Sequence, residues 1–117
     1  MKATAKRIKL GEFELTGLMS ESGEFGMSLV DFNGLLKFEV ESCNLKPIKR
    51  YFPDSIINLV NWEVNGKPLR VLKSDDVDNL LWGLSMERNQ IAQDILVVLN
   101  DTTITYVLRR SFTPKIK

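Results

Sequence analysis

The stretch INLVNWEVNGKPLRVLK, residues 57–73, decides the fold. At its centre stands Asn65-Gly66, with Ile57, Leu59, Trp62 and Val64 before it and Leu69, Val71 and Leu72 after it. Asn-Gly is the preferred pair for a type I′ two-residue turn, because both central positions need positive φ. The stretch therefore reads as a β-hairpin. Pro68 has no backbone N–H to give, so it belongs at an edge or at a non-hydrogen-bonded position.

Upstream, Phe13 and Leu15, with Leu18 as a third candidate, alternate within Glu12–Met19, and Phe25 and Met27 alternate within Glu24–Ser28. The Ser/Glu/Gly-rich Ser20–Gly23 between them predicts a second hairpin. Ser28-Leu29-Val30-Asp31 has the S-x-x-D form of a capping box. The helix it opens carries Leu29, Phe32, Leu35 and Leu36 on one face. Ser42–Phe52 is expected to hold a shorter helix with Asn44 as its N-cap, since Pro47 is tolerated only in the first turn. Downstream, Ser74 is expected to cap a helix with Asp75, Asp76 and Asp78 in its first turns and Val77, Leu80, Leu81 and Leu84 as a buried stripe. After a break at Met86–Asn89, a further helix bears Ile91, Ala92, Ile95, Leu96 and Leu99, and Asn100-Asp101 is a candidate end for it. Residues 102–112 are ambiguous: their β-branched residues favour a strand, whereas Ile104, Leu108 and Phe112 at spacing four favour a helix. The expected architecture is one α+β domain over 11–112, two β-hairpins packed with three to five helices. It is flanked by a basic arm at 1–10 and a basic tail at 113–117.

With 117 residues, the chain is one domain with room for a real core. It holds one cysteine, Cys43, and no histidine. A single cysteine forbids an internal disulfide and suits a reducing, cytoplasmic setting. The lack of histidine removes the usual general base, the Ser-His-Asp triad and any ordinary zinc site. No phosphate loop or dinucleotide fingerprint is present, no cofactor is implied, and no apolar run is long enough to span a bilayer. The reading is non-enzymatic, without a metal.

The net charge of +1 conceals a sorted distribution. Residues 1–10 hold Lys2, Lys6, Arg7 and Lys9 and no acid, whereas 11–41 hold seven acids against Lys37. Residues 42–73 return to +4, 74–101 fall to −5, and 102–117 end at +4 through Arg109, Arg110, Lys115 and Lys117. A polyanion responds to the local field of one face, so convergence of the basic blocks would suffice to hold a nucleic-acid backbone.

Two segments carry a family resemblance. Gly11–Leu36, GEFELTGLMSESGEFGMSLVDFNGLL, resembles the hairpin and first helix that open the Bro-N and KilA-N type domains of phage and viral antirepressors. Residues 71–112, with VLKSDDVDNLLWGL and NQIAQDILVVLN, are similar to the later helices of that family. The resemblance covers a little under two thirds of the chain. It implies an α+β domain that binds DNA in regulation, and it favours a helix over 102–112.

Candidate contacts follow from the residues. Lys46, Lys49 and Arg50 on the short helix are the first choice for phosphates, with Ser42 and Asn44 at its start and Asn44 able to read an adenine edge. Lys67 and Arg70, and Lys73 beyond them, extend the patch, and Arg109 and Arg110 belong to the last basic block. Duplex DNA is preferred to a single strand; a homodimer and a host or phage protein partner stay open, and no membrane is implied. One alternative is a small inhibitor that mimics nucleic acid through its acidic blocks. A weaker one is a magnesium nuclease using Glu12, Glu14 or Asp75, although the Asp cluster is explained by capping and Glu12, Glu14 and Glu24 by a wet hairpin face. Trp62, Trp82, Tyr51 and Tyr106 would stack on bases if exposed. Core or a dimer interface is the expected home of both tryptophans, and Cys43 has no expected role in chemistry.

Overall fold

Ser28 converts strand into helix. In a computed structural model, which describes residues 1–38, 45–54 and 57–112, its hydroxyl accepts from the Asp31 N–H at 3.0 Å. Strand β3 (Phe25–Ser28) thus runs directly into α1 (Leu29–Leu35), which buries Leu29 and Phe32. Before β3 come β1 (Ala3–Leu10) and β2 (Phe13–Ser20); after α1 come α2 (Lys46–Lys49), β4 (Val60–Val64) and β5 (Lys67–Lys73). Helices α3 (Ser74–Met86), α4 (Gln90–Leu99) and α5 (Ile104–Phe112) close the chain. The fold is α+β, with one antiparallel sheet in the order β1-β2-β3-β5-β4.

The hairpin at Asn65-Gly66 forms as its residues dictate, with Val64 paired to Lys67 and φ of 51° and 80° at the two turn positions. Pro68 pairs with Glu63, one step from the turn's hydrogen-bonded pair, so the ladder to β4 asks no N–H of it. Strand β3 meets β5 only at Val71–Lys73, which leaves no strand on the other side of Pro68 among the described residues.

Residues 3–10 are a strand and not an arm. Ile8 pairs with Leu15 and Leu10 with Phe13, and both Ile8 and Leu10 are buried. Gly11, at φ 63°, makes the turn into β2. The four cations obscure a two-residue period that buries one face. At its start this edge strand also touches the opposite edge of the sheet: Lys2 bridges Glu63 in parallel, and the Glu63 N–H donates to the Met1 carbonyl at 2.8 Å. The sheet therefore rolls until its two edges touch. Its convex face turns Ile8, Leu15, Met27 and Leu72 toward the helices, and its concave face holds Leu18, Trp62 and Val71.

Two further expectations are corrected, on Ser74 and on the helix at 42–52, and the core half of the expectation for Trp82 is not met. Ser74 is the first residue of α3, with Lys73 in the cap position and no side-chain cap bond. The helix expected over 42–52 is a single turn with Leu45 at its cap, although Pro47 does sit in its first turn. Ser42, Cys43 and Asn44 lie outside the described residues. Trp62 is core, but Trp82 is 63% exposed, because α3 buries the stripe Val77, Leu80, Leu81 and Leu84 and turns Trp82 the other way. Elsewhere the local signals hold. Asn89 caps α4 by accepting from the Ala92 N–H at 2.9 Å, and Asn100, at φ 47°, ends it.

Two glycines separate backbone strain from crowding. A Cβ on Gly66 would meet nothing within 4 Å but would sit on a positive φ; one on Gly26 would lie 2.7 Å from the Leu72 carbonyl oxygen and 3.1 Å from the Trp62 ring. Gly66→Val should cost about 1–2 kcal/mol through backbone strain alone, leaving Trp62 emission unchanged. Gly26→Ala should cost about 1–3 kcal/mol by overpacking and should shift Trp62 emission, since the ring is pushed out of its seat. Melting curves read by tryptophan fluorescence check both.

Candidate nucleic-acid interface

A nine-residue helix is too short to persist alone in water, so α5 depends on what holds it. Its N-terminus is held from 26 residues away. Asp78, on α3, accepts from the Ile104 N–H at 2.6 Å, the Thr105 N–H at 3.2 Å and the Thr105 hydroxyl at 2.7 Å. A carboxylate there satisfies two of the free amides that open any helix and opposes the positive end of its dipole. Leu108 is received by the sheet: a Cβ on Gly17 of β2 would lie 2.2 Å from Leu108 Cδ2. At the far end Phe112 packs on Phe25, ring centroids 6.0 Å apart. Spacing and propensity leave this segment open, and tertiary contacts make it a helix.

Seating α5 on β1, β2 and β3 has an electrostatic consequence. The Lys6 ammonium donates to the Ser111 carbonyl, so the N-terminal basic block lies against the C-terminal one. Arg109 and Arg110 point away from the buried Ile104–Leu108 face and are exposed. Arg110 donates to the Tyr106 hydroxyl at 3.0 Å and lies 5.8 Å over its ring, which fixes a side chain that would otherwise sample many rotamers. That hydrogen bond also raises the guanidinium above its already high ordinary value.

The other expected contacts are distributed elsewhere. Lys46 and Arg50 are exposed and Lys49 half-buried on α2, whose Pro47 and Ile48 are buried. That segment leans on α3, where a Cβ on Gly83 would lie 2.8 Å from the Phe52 ring. Lys67 and Arg70 are exposed on β5 and point to opposite faces by the strand's period. Their hairpin reaches β1 through the Lys2–Glu63 bridge. Ser42 and Asn44 lie outside the described residues, as does the tail at 113–117. Lys2, Lys6, Arg7 and Lys9 are the cations whose setting sequence reasoning missed; the inward Ile8 and Leu10 were the available signal.

Several charges are matched within the fold. Arg7 pairs with Glu14 at 2.5 Å, and Lys73 with Glu24 at 2.9 Å. The hydrogen bond between the last two lowers the Glu24 carboxyl below its ordinary 4.5 and raises Lys73 above its ordinary 10.5. Lys73 is thus a weaker phosphate candidate than its position suggested. Of the aromatic residues, Tyr51 is half-buried between Phe38 and Phe52, while Tyr106 is exposed. Among the described residues no three acidic or cysteine side chains gather so as to hold a metal, and no single helix is long and apolar enough to cross a membrane. No protein-family model, curated protein or solved structure matches the chain.

Two outcomes test these contacts. Asp78→Ala should cost about 0.5–2 kcal/mol, the range for removal of a helix cap, and should speed amide hydrogen exchange at Ile104 and Thr105 ahead of the rest of the domain. The Glu24 carboxyl, followed by NMR, should titrate below 4.5 and move back toward it in Lys73→Ala. Because its folded value is the lower one, its contribution to stability is present above the unfolded carboxylate value and is lost as pH falls through the folded one.

Proposed function

We propose that the chain is a non-catalytic DNA-binding module that holds duplex phosphates where β1 meets α5. The observation that carries this reading is the Lys6–Ser111 hydrogen bond, which makes neighbours of two basic blocks separated by the whole length of the chain. Lys6, Arg109 and Arg110 supply the charge, and Tyr106 steadies Arg110 before any ligand arrives, which reduces the ordering cost of a phosphate contact. Lys67 and Arg70 lie on the hairpin bridged to β1 but point to opposite faces of it, and Lys46, Lys49 and Arg50 form a separate basic turn. The acidic side fits a mimic less well: Glu14 and Glu24 are paired with cations, and Asp78 is committed to capping α5. The resemblance of residues 11–36 and 71–112 to antirepressor DNA-binding domains supports the same reading.

A mobility-shift titration across salt concentrations tests it. Removing a side chain that neutralises one phosphate should reduce the log–log salt slope by about 0.9 on duplex DNA. Changing Lys6, Arg109 and Arg110 together to Ala should flatten that slope and weaken binding more than changing Lys46, Lys49 and Arg50 together. If the second set has the larger effect, the reading surface is α2. If the parent chain shows no salt-dependent binding, DNA is not the ligand and the protein-binding inhibitor takes its place.

A further inference from the structure

Arg110 is held in place before any ligand is bound. Its Nη1 donates to the Tyr106 hydroxyl at 3.0 Å, one helical turn away, and its guanidinium lies 5.8 Å over the Tyr106 ring. An arginine carries five N–H groups in a planar fork. The bond to Tyr106 takes one of them and leaves the Nε–Nη2 side, with its two parallel donors, outside that bond. Thr103, Tyr106, Arg109 and Arg110 are all exposed, while Ile104 and Leu108 are buried. Their three-and-four spacing puts the exposed set on one face, so α5 turns a polar side outward from its N-terminus to its last turn.

We propose that this face of α5 enters the major groove and that Arg110 reads a guanine there, its Nε and Nη2 N–H groups donating to O6 and N7 of one base. The inference rests on the DNA-binding reading above and adds a sequence preference to it. A phosphate can be held by a point charge, so a mobile lysine serves and no fixed plane is needed. A base edge is more demanding, because both of its groups lie in one plane. A guanidinium whose position is set beforehand meets them with less rotamer freedom left to lose. Tyr106 supplies that restraint to Arg110, whereas the Lys6 ammonium is a point charge already donating to the Ser111 carbonyl. Guanine is the base that fits, since it alone offers two acceptors on its major-groove edge. Adenine sets an amino donor beside its N7, and an arginine has no acceptor to meet it. The groove itself, about 12 Å wide, admits a helix.

Mobility-shift titrations of the full chain on two duplexes of equal length, one of alternating dG·dC pairs and one of alternating dA·dT pairs, test the proposal. The chain should prefer the dG·dC duplex about fivefold or more, the discrimination of one bidentate contact. Replacing guanine by 7-deazaguanine removes the N7 acceptor and should abolish the preference. Replacing it by hypoxanthine, which keeps O6 and N7 and lacks only the minor-groove amino group, should preserve it. Arg110→Lys keeps the charge without the fork, so the preference should vanish while the salt slope stays. Tyr106→Phe keeps the ring and the arginine but not the bond between them, and should narrow the preference, again at constant slope; a merely structural role would weaken binding to both duplexes alike. Equal affinity for the two duplexes, a preference indifferent to 7-deazaguanine, or one that survives Arg110→Lys overturns the proposal and leaves the phosphate-binding reading standing. Salt-dependent binding to neither duplex overturns both.

Discussion

The packing of Leu108 on the bare backbone of Gly17 is the constraint on which the rest of the structure depends. Strands β1 and β2 turn Ile8, Leu10 and Leu15 outward from the rolled sheet, and those side chains are buried only because helices cover them. Helix α5 can lie close enough to do this because β2 presents no Cβ at residue 17. Burying Ile104 and Leu108 is worth about 1.5–3 kcal/mol each in removed apolar surface, enough to hold a segment that has no stability of its own. Asp78 then fixes where the helix begins. The sheet seats the helix, and the helix keeps the sheet dry.

Much of this arrangement is legible in sequence wherever the determining physics is local. The Asn65-Gly66 turn, the Ser28 cap and the apolar stripes of α3 and α4 each lie within a few residues of their cause, and each forms as its residues require. The failures share the opposite property. Ile8 and Leu10 are two apolar residues among four cations, and only pairing with β2 shows them to be inward-facing. The Asp75–Asp78 cluster reads as the dipole partner of its own helix, whereas Asp78 reaches across to another. Residues 102–112 have strand-like composition and helix-like spacing; Thr103 adds a local cap by accepting from the Tyr106 N–H, and groups from α3 and β2 that no local window contains seat the helix.

The candidate surface is legible in part and for the same reason. Arg109 and Arg110 can be identified by type, but their neighbour Lys6 cannot, because a separation of more than a hundred residues is closed only by the fold. Lys73 shows the reverse error. By sequence it continues a basic run, yet antiparallel pairing sets it opposite Gly26, beside Glu24, which matches its charge.

A basic edge strand has an explanation that needs no ligand: Lys and Arg along an exposed edge discourage pairing with another sheet. That account is sufficient for β1 taken by itself, where Lys6, Arg7 and Lys9 line the part of the edge that the β4 bridge leaves uncovered. It does not extend to Arg109 and Arg110. A helix has no free ladder to protect, but Arg109 and Arg110 stand in the last turn of α5, where cations oppose the negative end of its dipole, and the Lys6 ammonium donates to the Ser111 carbonyl at the same end. Edge protection and the helix dipole thus account for these cations within the fold, and the proposed phosphate contact rests on the fold's bringing Lys6 beside the C-terminal turn of α5.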